Sequence, residues 1–185
     1  MRIIAGEWRS RKLNAPDGQD TRPTADRVKE ALFSILNGRV YGTRVLDLYG
    51  GSGALALEAL SRGAKSAVIV DQAAKACRCI RENIAALGCA DRAKLLPMKD
   101  LAAVETLEKA GDGFDLILLD PPYRLDASPV LERLEKKLLN KGGMIVAEHA
   151  RETPPEAVPP LRRVDQRVYG ITGVSFFARL EEEES

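Results

Sequence analysis

The sequence has few cysteines and no long apolar runs, the features that would mark a disulfide-rich or membrane protein. Its 185 residues include only three cysteines, Cys77, Cys79 and Cys89. Their odd number and uneven spacing argue against a disulfide framework and a four-ligand zinc site. No apolar run approaches the ~20 residues that cross a bilayer, and Glu7 and several arginines stand where a signal peptide would be apolar. These absences exclude membrane, secreted and collagen-like classes and predict a reduced, cytoplasmic protein.

A large excess of one charge is also absent, although the charges are unevenly placed. The 28 lysines and arginines nearly balance the 27 acids, giving a net charge of +1. Four of the acids form the run Glu181–Glu184, which we interpret as a frayed tail over residues 181–185. The first fifteen residues hold one acid, Glu7, against four basic residues, Arg2, Arg9, Arg11 and Lys12. Such a cluster either binds nucleic acid or is a solvated surface.

Turn-forming residues separate an N-terminal arm, residues 1–23, from the rest of the chain. The arm has few helix signals, and Pro16-Asp17-Gly18 is typical of a tight turn, so we expect a short hairpin or irregular segment. Thr24 can cap the helix that follows, whose apolar residues share one face: Val28, Ala31, Leu32, Ile35 and Leu36. We predict one globular domain over residues 24–180.

From residue 44 onward, apolar strands alternate with helices. The predicted strands cover residues 44–49, 66–71, 93–98, 114–120 and 143–148. Repeated β–α units produce a parallel sheet with helices on both faces. Beyond a proline-rich stretch, residues 162–170 and 173–180 read as two strands joined through Gly170. The sequence therefore predicts an α/β, Rossmann-like, doubly wound sheet of seven mostly parallel strands, with an antiparallel C-terminal hairpin at one edge.

The loop after the first of these strands is rich in glycine. Gly50, Gly51, Ser52 and Gly53 stand between a strand and a helix, where the backbone can approach a ligand and helix N–H groups are unpaired. The spacing matches neither the dinucleotide fingerprint nor the P-loop. Tight packing explains such a loop almost as well as ligand binding does.

An acid, Asp71, stands at the end of the second predicted strand, about twenty residues after the glycine loop. Asp71 can accept hydrogen bonds from both hydroxyls of a ribose, or it can cap the next helix. Loop and acid together suggest a cofactor that contains adenosine.

The most hydrophobic strand ends in Asp120-Pro121-Pro122-Tyr123. The two prolines fix a rigid turn, and the motif could serve only to form that turn. The alternative is a binding site for a planar group with an exocyclic amine. An aspartate and a prolyl carbonyl would accept its two N–H bonds while the tyrosine ring stacks on it.

The glycine loop after the first strand and the Asp120–Tyr123 motif after the fourth resemble motifs of the S-adenosylmethionine-dependent amino-methyltransferases. The likeness extends over nearly the whole chain. The sequence resembles the RsmD family in particular through several segments: Met1–Gly6, Arg11–Leu13, Arg22–Thr24, Asp26–Val28 with Glu30, Leu32-Phe33, Ser52–Leu55 and Glu58–Gly63. Three positions depart from the family pattern: Gly51 replaces alanine, Tyr49 replaces phenylalanine, and Asp71 replaces a common glutamate. The last change shortens the ribose-binding side chain by one carbon.

The resemblance implies a set of cofactor-binding residues. Asp47 and Gly50–Gly53 would line the methionine end of S-adenosylmethionine, and Asp71 would hold its ribose. Asp100 would bind the adenine amine, although it also stands where it could cap the next helix. No metal is required, and the sequence shows no cluster of metal ligands.

The resemblance also implies the substrate, which is the N2 amine of guanine 966 in the 16S ribosomal RNA of an assembling 30S particle. Asp120, Pro121, Pro122 and Tyr123 would receive the guanine after it leaves its stack. Arg22, Thr24 and Arg27 would close over the cofactor or contact RNA phosphate. We hypothesise that RNA affinity comes from the basic arm and from the shape of a partly assembled ribosomal particle; the alternative is that the arm's charges only solubilise the surface. We expect the protein to act as a monomer.

Other functions remain open from the residues alone. An adenine-N6 methyltransferase acting on DNA or RNA, or a protein-amide methyltransferase, would use a similar proline-containing motif. A nicotinamide oxidoreductase is disfavoured by the glycine spacing. A non-catalytic RNA-binding assembly factor could keep the same pocket without turnover.

Overall fold

Seven strands form a single sheet in the computed structural model, which describes residues 1–16, 23–122, 124–125 and 127–179, apart from the side chains of Pro23 and Thr24. The strands are β1 (Arg44–Asp47), β2 (Ser66–Val70), β3 (Ala93–Leu96), β4 (Phe114–Leu119), β5 (Leu139–Ala150), β6 (Leu161–Tyr169) and β7 (Thr172–Arg179). Their order is β3-β2-β1-β4-β5-β7-β6; the first five are parallel, and β7 is antiparallel to both neighbours. The predicted fold class and edge hairpin are confirmed.

Five helices of the described chain cover the sheet in two layers: α1 (Pro23–Leu36), α2 (Ala54–Ser61), α3 (Ala74–Leu87), α4 (Asp100–Lys109) and α5 (Ser128–Lys137). The first layer consists of α1, α2, α3 and the N-terminal arm, and the second consists of α4 and α5. None of these helices is long and apolar enough to cross a membrane.

The central strands are apolar on both faces because each face is covered by helices. Val45 packs in the first layer's core while its neighbour Leu46 packs in the second layer's core, and both are fully buried. Leu118 and Ile117 of β4 divide in the same way. This pattern is typical of parallel strands with helices on both sides.

Some element boundaries differ from the predictions. The first helix begins at Pro23 rather than after a Thr24 cap, because the fixed φ of proline suits the first helical position. Strand β5 begins at Leu139, four residues before Gly143. Its extra residues include Asn140, whose Nδ2 donates to Oδ1 of Asp115 over 2.8 Å, a contact between distant positions that local periodicity does not reveal.

The described part of the arm, residues 1–16, folds back on itself and packs against the first layer. Arg2 and Lys12 form an antiparallel bridge. Ile3, Trp8 and Leu13 are buried in the core. Trp8 therefore anchors the arm to the domain.

A buried carboxylate holds the arm to two helices. Glu58 of α2 is fully buried, and its two oxygens accept hydrogen bonds from the backbone amides of Ile4 (2.8 Å) and Ala5 (3.1 Å). The same carboxylate pairs with Nζ of Lys29 on α1 at 3.2 Å and with Nε of Arg62 at 2.8 Å. This Glu58 network fixes where the arm crosses the first layer.

Candidate active site

A cleft of about 1390 Å³ opens at the carboxyl ends of the central strands. The strand order reverses between β1 and β4, and ligands in open α/β sheets bind at such a switch point. The structure brings most of the predicted cofactor and substrate residues to this cleft: Gly50, Gly51, Ser52, Asp71, Asp100, Asp120, Pro121 and Pro122. Asp47 and Gly53 are behind this lining.

The glycine loop has its shape for two different reasons. A Cβ at Gly50 would lie 2.4 Å from Cγ2 of Ile69, so packing alone requires glycine there. Gly51 (φ 56°) and Gly53 (φ 79°) adopt left-handed conformations, which glycine tolerates best. Packing against Ile69 and the left-handed backbone therefore account for different glycines of one loop.

Asp47 lies beneath the loop, 1% exposed. Its Oδ2 accepts a hydrogen bond from the Ala56 amide of α2 at 3.3 Å, and its Oδ1 has no hydrogen-bond partner among the described residues. Burial, followed by the nearby charge of Asp120, raises the pKa of Asp47 to about 7. Asp47 thus supports the first turn of α2 from below.

Asp71 links the loop to the end of β2. Its Oδ2 accepts the Gly51 amide at 2.9 Å, and its Oδ1 accepts the Ala73 amide at 2.8 Å. Ala73 is the N-cap residue of α3, so Asp71 orders the start of that helix and also lines the cleft. Each carboxylate oxygen retains a second lone pair for a ligand.

Asp100 lies in the first turn of α4, on the cleft wall. Its Oδ2 accepts the hydroxyl of Tyr49 at 2.7 Å, and its Oδ1 accepts the Leu101 amide at 2.8 Å. Burial and the Asp100 carboxylate raise the pKa of Tyr49 above its usual range. Tyr49 therefore stays a hydrogen-bond donor, which orients Asp100.

Asp120 follows β4 and faces the cleft. The residue is exposed where it borders the cleft, and the protein atoms crowded around its carboxylate partly desolvate it and raise its pKa to about 6. Pro121 is buried and Pro122 exposed. The Leu125 amide donates to the Pro122 carbonyl at 2.8 Å, closing a tight turn. Tyr123 lies outside the described residues.

The predicted RNA-contacting residues are on the surface. Arg2, Arg9, Lys12 and Arg27 are exposed. Arg11 is also exposed, and its Nη2 donates to the Ala86 carbonyl at the end of α3 over 2.7 Å. Arg22 and the acidic tail lie outside the described residues.

One buried polar residue joins the arm to the glycine loop. Nδ2 of Asn83 donates to the carbonyls of Ser52 (2.8 Å) and Asn14 (3.0 Å), and its Oδ1 accepts the Asn14 amide at 2.8 Å. This residue is not among those predicted from the sequence. The available signal was an asparagine on the otherwise apolar face of α3, next to Ile84.

The strand order, with β7 antiparallel between β5 and β6, gives the protein the class I methyltransferase fold. Comparisons with known proteins assign it more narrowly. Residues 1–178 match the family described as Conserved hypothetical protein 95, and the chain belongs to this family, the RsmD family.

Two curated relatives and one solved structure illustrate the similarity. "Putative rRNA methyltransferase YlbH" of Bacillus subtilis (strain 168) is 38% identical over 182 residues, covering 97% of this chain and 99% of that protein. "Ribosomal RNA small subunit methyltransferase D" of Haemophilus influenzae is 33% identical over 157 residues, covering 83% and 81%. The structure titled "Putative methyltransferase yhhF from Escherichia coli" superposes with a TM-score of 0.85 at 31% identity, covering 98% and 99%.

Proposed function

We propose that the protein transfers the methyl group of S-adenosylmethionine to N2 of guanine 966 in 16S ribosomal RNA. The observation that carries the proposal is the position of Asp120-Pro121-Pro122 in the same cleft as the glycine loop, Asp71 and Asp100. A site for an amine acceptor thus adjoins a site suited to an adenosine-containing donor. The names of the similar proteins support ribosomal RNA as the substrate class.

The residues of the cleft fit the chemistry of this cofactor. The cofactor presents hydroxyl and amine donors together with positive charge, and the cleft presents carboxylate acceptors at Asp71, Asp100 and Asp120. The left-handed Gly51 lets the loop backbone approach closely. In this arrangement Asp71 would hold the ribose, Asp100 the adenine amine, and the glycine loop the methionine end. When bound, the cofactor supplies an electrophilic methyl group on a sulfonium.

Asp120 is suited to hold the amine that is methylated. The lone pair of a guanine N2 is delocalised into the ring, so this nitrogen is a poor nucleophile. An ionised Asp120 and the Pro121 carbonyl would accept its two hydrogens and favour a pyramidal nitrogen with its lone pair directed at the methyl group. With a pKa of about 6, Asp120 is mostly ionised at pH 7.5 and can take the released proton.

Alignment supplies much of the rate acceleration. Holding a nucleophile in line with its electrophile contributes roughly 7–11 kcal/mol in well-oriented reactions. The hydrogen bond from the Leu125 amide to the Pro122 carbonyl and the bond from the Gly51 amide to Asp71 would support the two walls of the cleft that this alignment needs. Tyr123 would stack on the extruded base, and its variant Tyr123→Ala would test that role.

The decisive experiment offers labelled S-adenosylmethionine to small subunits lacking the modification, to naked 16S RNA and to DNA, and then maps the modified nucleotide. Label at N2 of one guanine of the small-subunit RNA is expected. Methylated adenine, or label in DNA alone, would overturn the assignment.

Asp120→Asn provides the matched test of the site. It keeps the size of the side chain but removes the negative charge, and it should lower the methylation rate by about two or more orders of magnitude. Asp112→Asn removes the same charge outside the cleft and should retain wild-type activity. Retained activity in Asp120→Asn would reject the proposed role of the carboxylate.

A further inference from the structure

The solvent face of α3 carries a row of basic side chains that the site described above does not use. Lys75, Arg78 and Arg81 are exposed and recur every three residues along one side of the helix. The opposite side, including Ile80 and Ile84, is buried in the first layer. None of the three basic side chains forms an ion pair with a described residue. We call these three residues the α3 strip.

The arm extends this positive surface. Arg11 contacts the Ala86 carbonyl at the C-terminal end of α3, and Asn14 is bonded to Asn83. Arm residues 11–14 therefore run beside the C-terminal half of the helix, where exposed Arg11 and Lys12 add positive charge to the surface. Glu82 is the one acidic residue of α3, and it already accepts a hydrogen bond from Nδ2 of Asn14 at 3.3 Å.

The strip begins at the active-site cleft. Gln72 and Ala73 line the cleft, and α3 starts at the next residue. With 14 residues, the helix extends about 21 Å away from the cleft, a distance comparable to several nucleotides of backbone. A nucleic acid with one base in the cleft can thus continue along α3.

The lysines of the second layer's helices differ from the α3 strip in having ion-pair partners. On α4 and α5, Lys109, Lys136 and Lys137 each have a carboxylate within 2.8 Å. Those charges are satisfied within the protein. The charges of the α3 strip are satisfied by counterions, which a polyanion can displace with a gain in free energy.

We infer that the α3 strip, together with Arg11 and Lys12, binds the RNA phosphate backbone beside the nucleotide held in the cleft. This inference rests on the proposed function and adds to it the path of the RNA. Contacts of this kind set the position and register of the RNA without reading its bases. They would hold the RNA on the same domain that carries the cleft.

The test compares two triple variants with the same change of charge. The strip variant is K75Q/R78Q/R81Q, and the control variant is K109Q/K136Q/K137Q on the second layer. Dissociation constants are measured for a 16S RNA fragment containing the target, between 50 and 200 mM salt.

The strip variant should bind at least tenfold more weakly at the lower salt. The slope of log K against log salt should fall by about 2, because three phosphate contacts to single-stranded RNA are lost. The control should match wild type.

Two further measurements separate the loss of phosphate contacts from damage to the cofactor site or to the helix. Calorimetry with S-adenosylhomocysteine should give the same affinity for the strip variant and wild type, because no strip residue lines the cleft. The charge-preserving variant Arg78→Lys should keep wild-type RNA affinity. Equal loss in both triple variants would attribute the effect to net charge and overturn the inference, as would unchanged binding in the strip variant.

The proposed function fails by a different result. If wild-type protein methylates the guanine but the strip variant binds RNA normally, only the inference about α3 is wrong. If wild-type protein methylates no guanine in small-subunit RNA, the proposed function itself is wrong.

Discussion

The two helical layers of the protein are stabilised in different ways. The described residues include ten buried polar or charged side chains, and six belong to the first layer or to the strand end and loop beneath it: Lys29, Asp47, Ser52, Glu58, Ser61 and Asn83. The second layer's helices contribute one, Glu135. Their lysines instead form ion pairs at the surface, such as Lys137 with Glu108 at 2.8 Å.

This difference follows from what each layer must position. The first layer holds the arm and the glycine loop, whose backbone groups lie outside regular structure and need specific hydrogen-bond partners. Glu58 and Asn83 supply these partners from inside the core. The second layer covers the sheet, a task that apolar packing can perform without directional contacts. Four variants test this contrast.

The largest effect is expected from Glu58→Gln in the first layer. The variant leaves Lys29 buried without its counterion, and breaking a buried pair in this way typically costs about 3–5 kcal/mol. Urea unfolding at constant pH measures the loss. A loss below about 1 kcal/mol would show that the Glu58 network does not support the first layer.

Asn83→Asp tests the link between arm and loop. The aspartate can still accept the Asn14 amide but no longer donates to the Ser52 and Asn14 carbonyls, so both links between arm and loop are weakened. We expect a loss of about 1–3 kcal/mol in unfolding free energy. We also expect a higher KM for the cofactor with little change in kcat, because the loop beside the cofactor shifts.

The matched control for this variant is Asn37→Asp, which adds the same charge at an exposed position. It should leave the KM unchanged. A purely structural role for Asn83 would lower stability while the KM of the folded enzyme stayed at the wild-type value.

Asp47→Asn tests the buried carboxyl beneath the loop through its pH dependence. Asp47 has a pKa of about 7 in the folded protein against an ordinary 3.8, so the folded state binds this proton more tightly than the unfolded state does. Its ionisation therefore opposes folding progressively as pH rises from about 4 to 7. Between pH 6 and 8, wild type should lose about 1 kcal/mol more stability than the variant.

Asp91→Asn is the control for the Asp47 variant, since it removes an exposed carboxylate. It should keep the wild-type difference between pH 6 and pH 8. If Asp47→Asn also keeps that difference, the folded protein does not hold the Asp47 proton as described.

The smallest effect is expected from Lys137→Gln in the second layer. Its pair with Glu108 is partly exposed, with 48% and 30% of the two side chains accessible, so solvent weakens the interaction. Urea unfolding should show a loss of about half a kcal/mol or less. A loss as large as that of Glu58→Gln would remove the distinction between the layers.

The sequence predicted those features of the protein that depend on local patterns. Strand–helix alternation indicated the sheet, and the carboxyl ends of its parallel strands necessarily converge, so Asp71 and Asp120 could be assigned to one cleft. The contacts of Glu58 with the Ile4 amide and of Asn83 with Ser52 join segments that are distant in the chain. No periodicity encodes such contacts, so they became visible only in the fold.

The position of β7 has a consequence for how the protein folds during its synthesis. This strand is the last that the structure describes, yet it lies between β5 and β6 rather than at the rim of the sheet. While a ribosome is still making residues 172–179, the backbone edge of β5 that pairs with them has no partner, and apolar Phe176 is missing from the core. A nascent or truncated chain that stops before this point exposes an open strand edge, which is prone to associate with other chains.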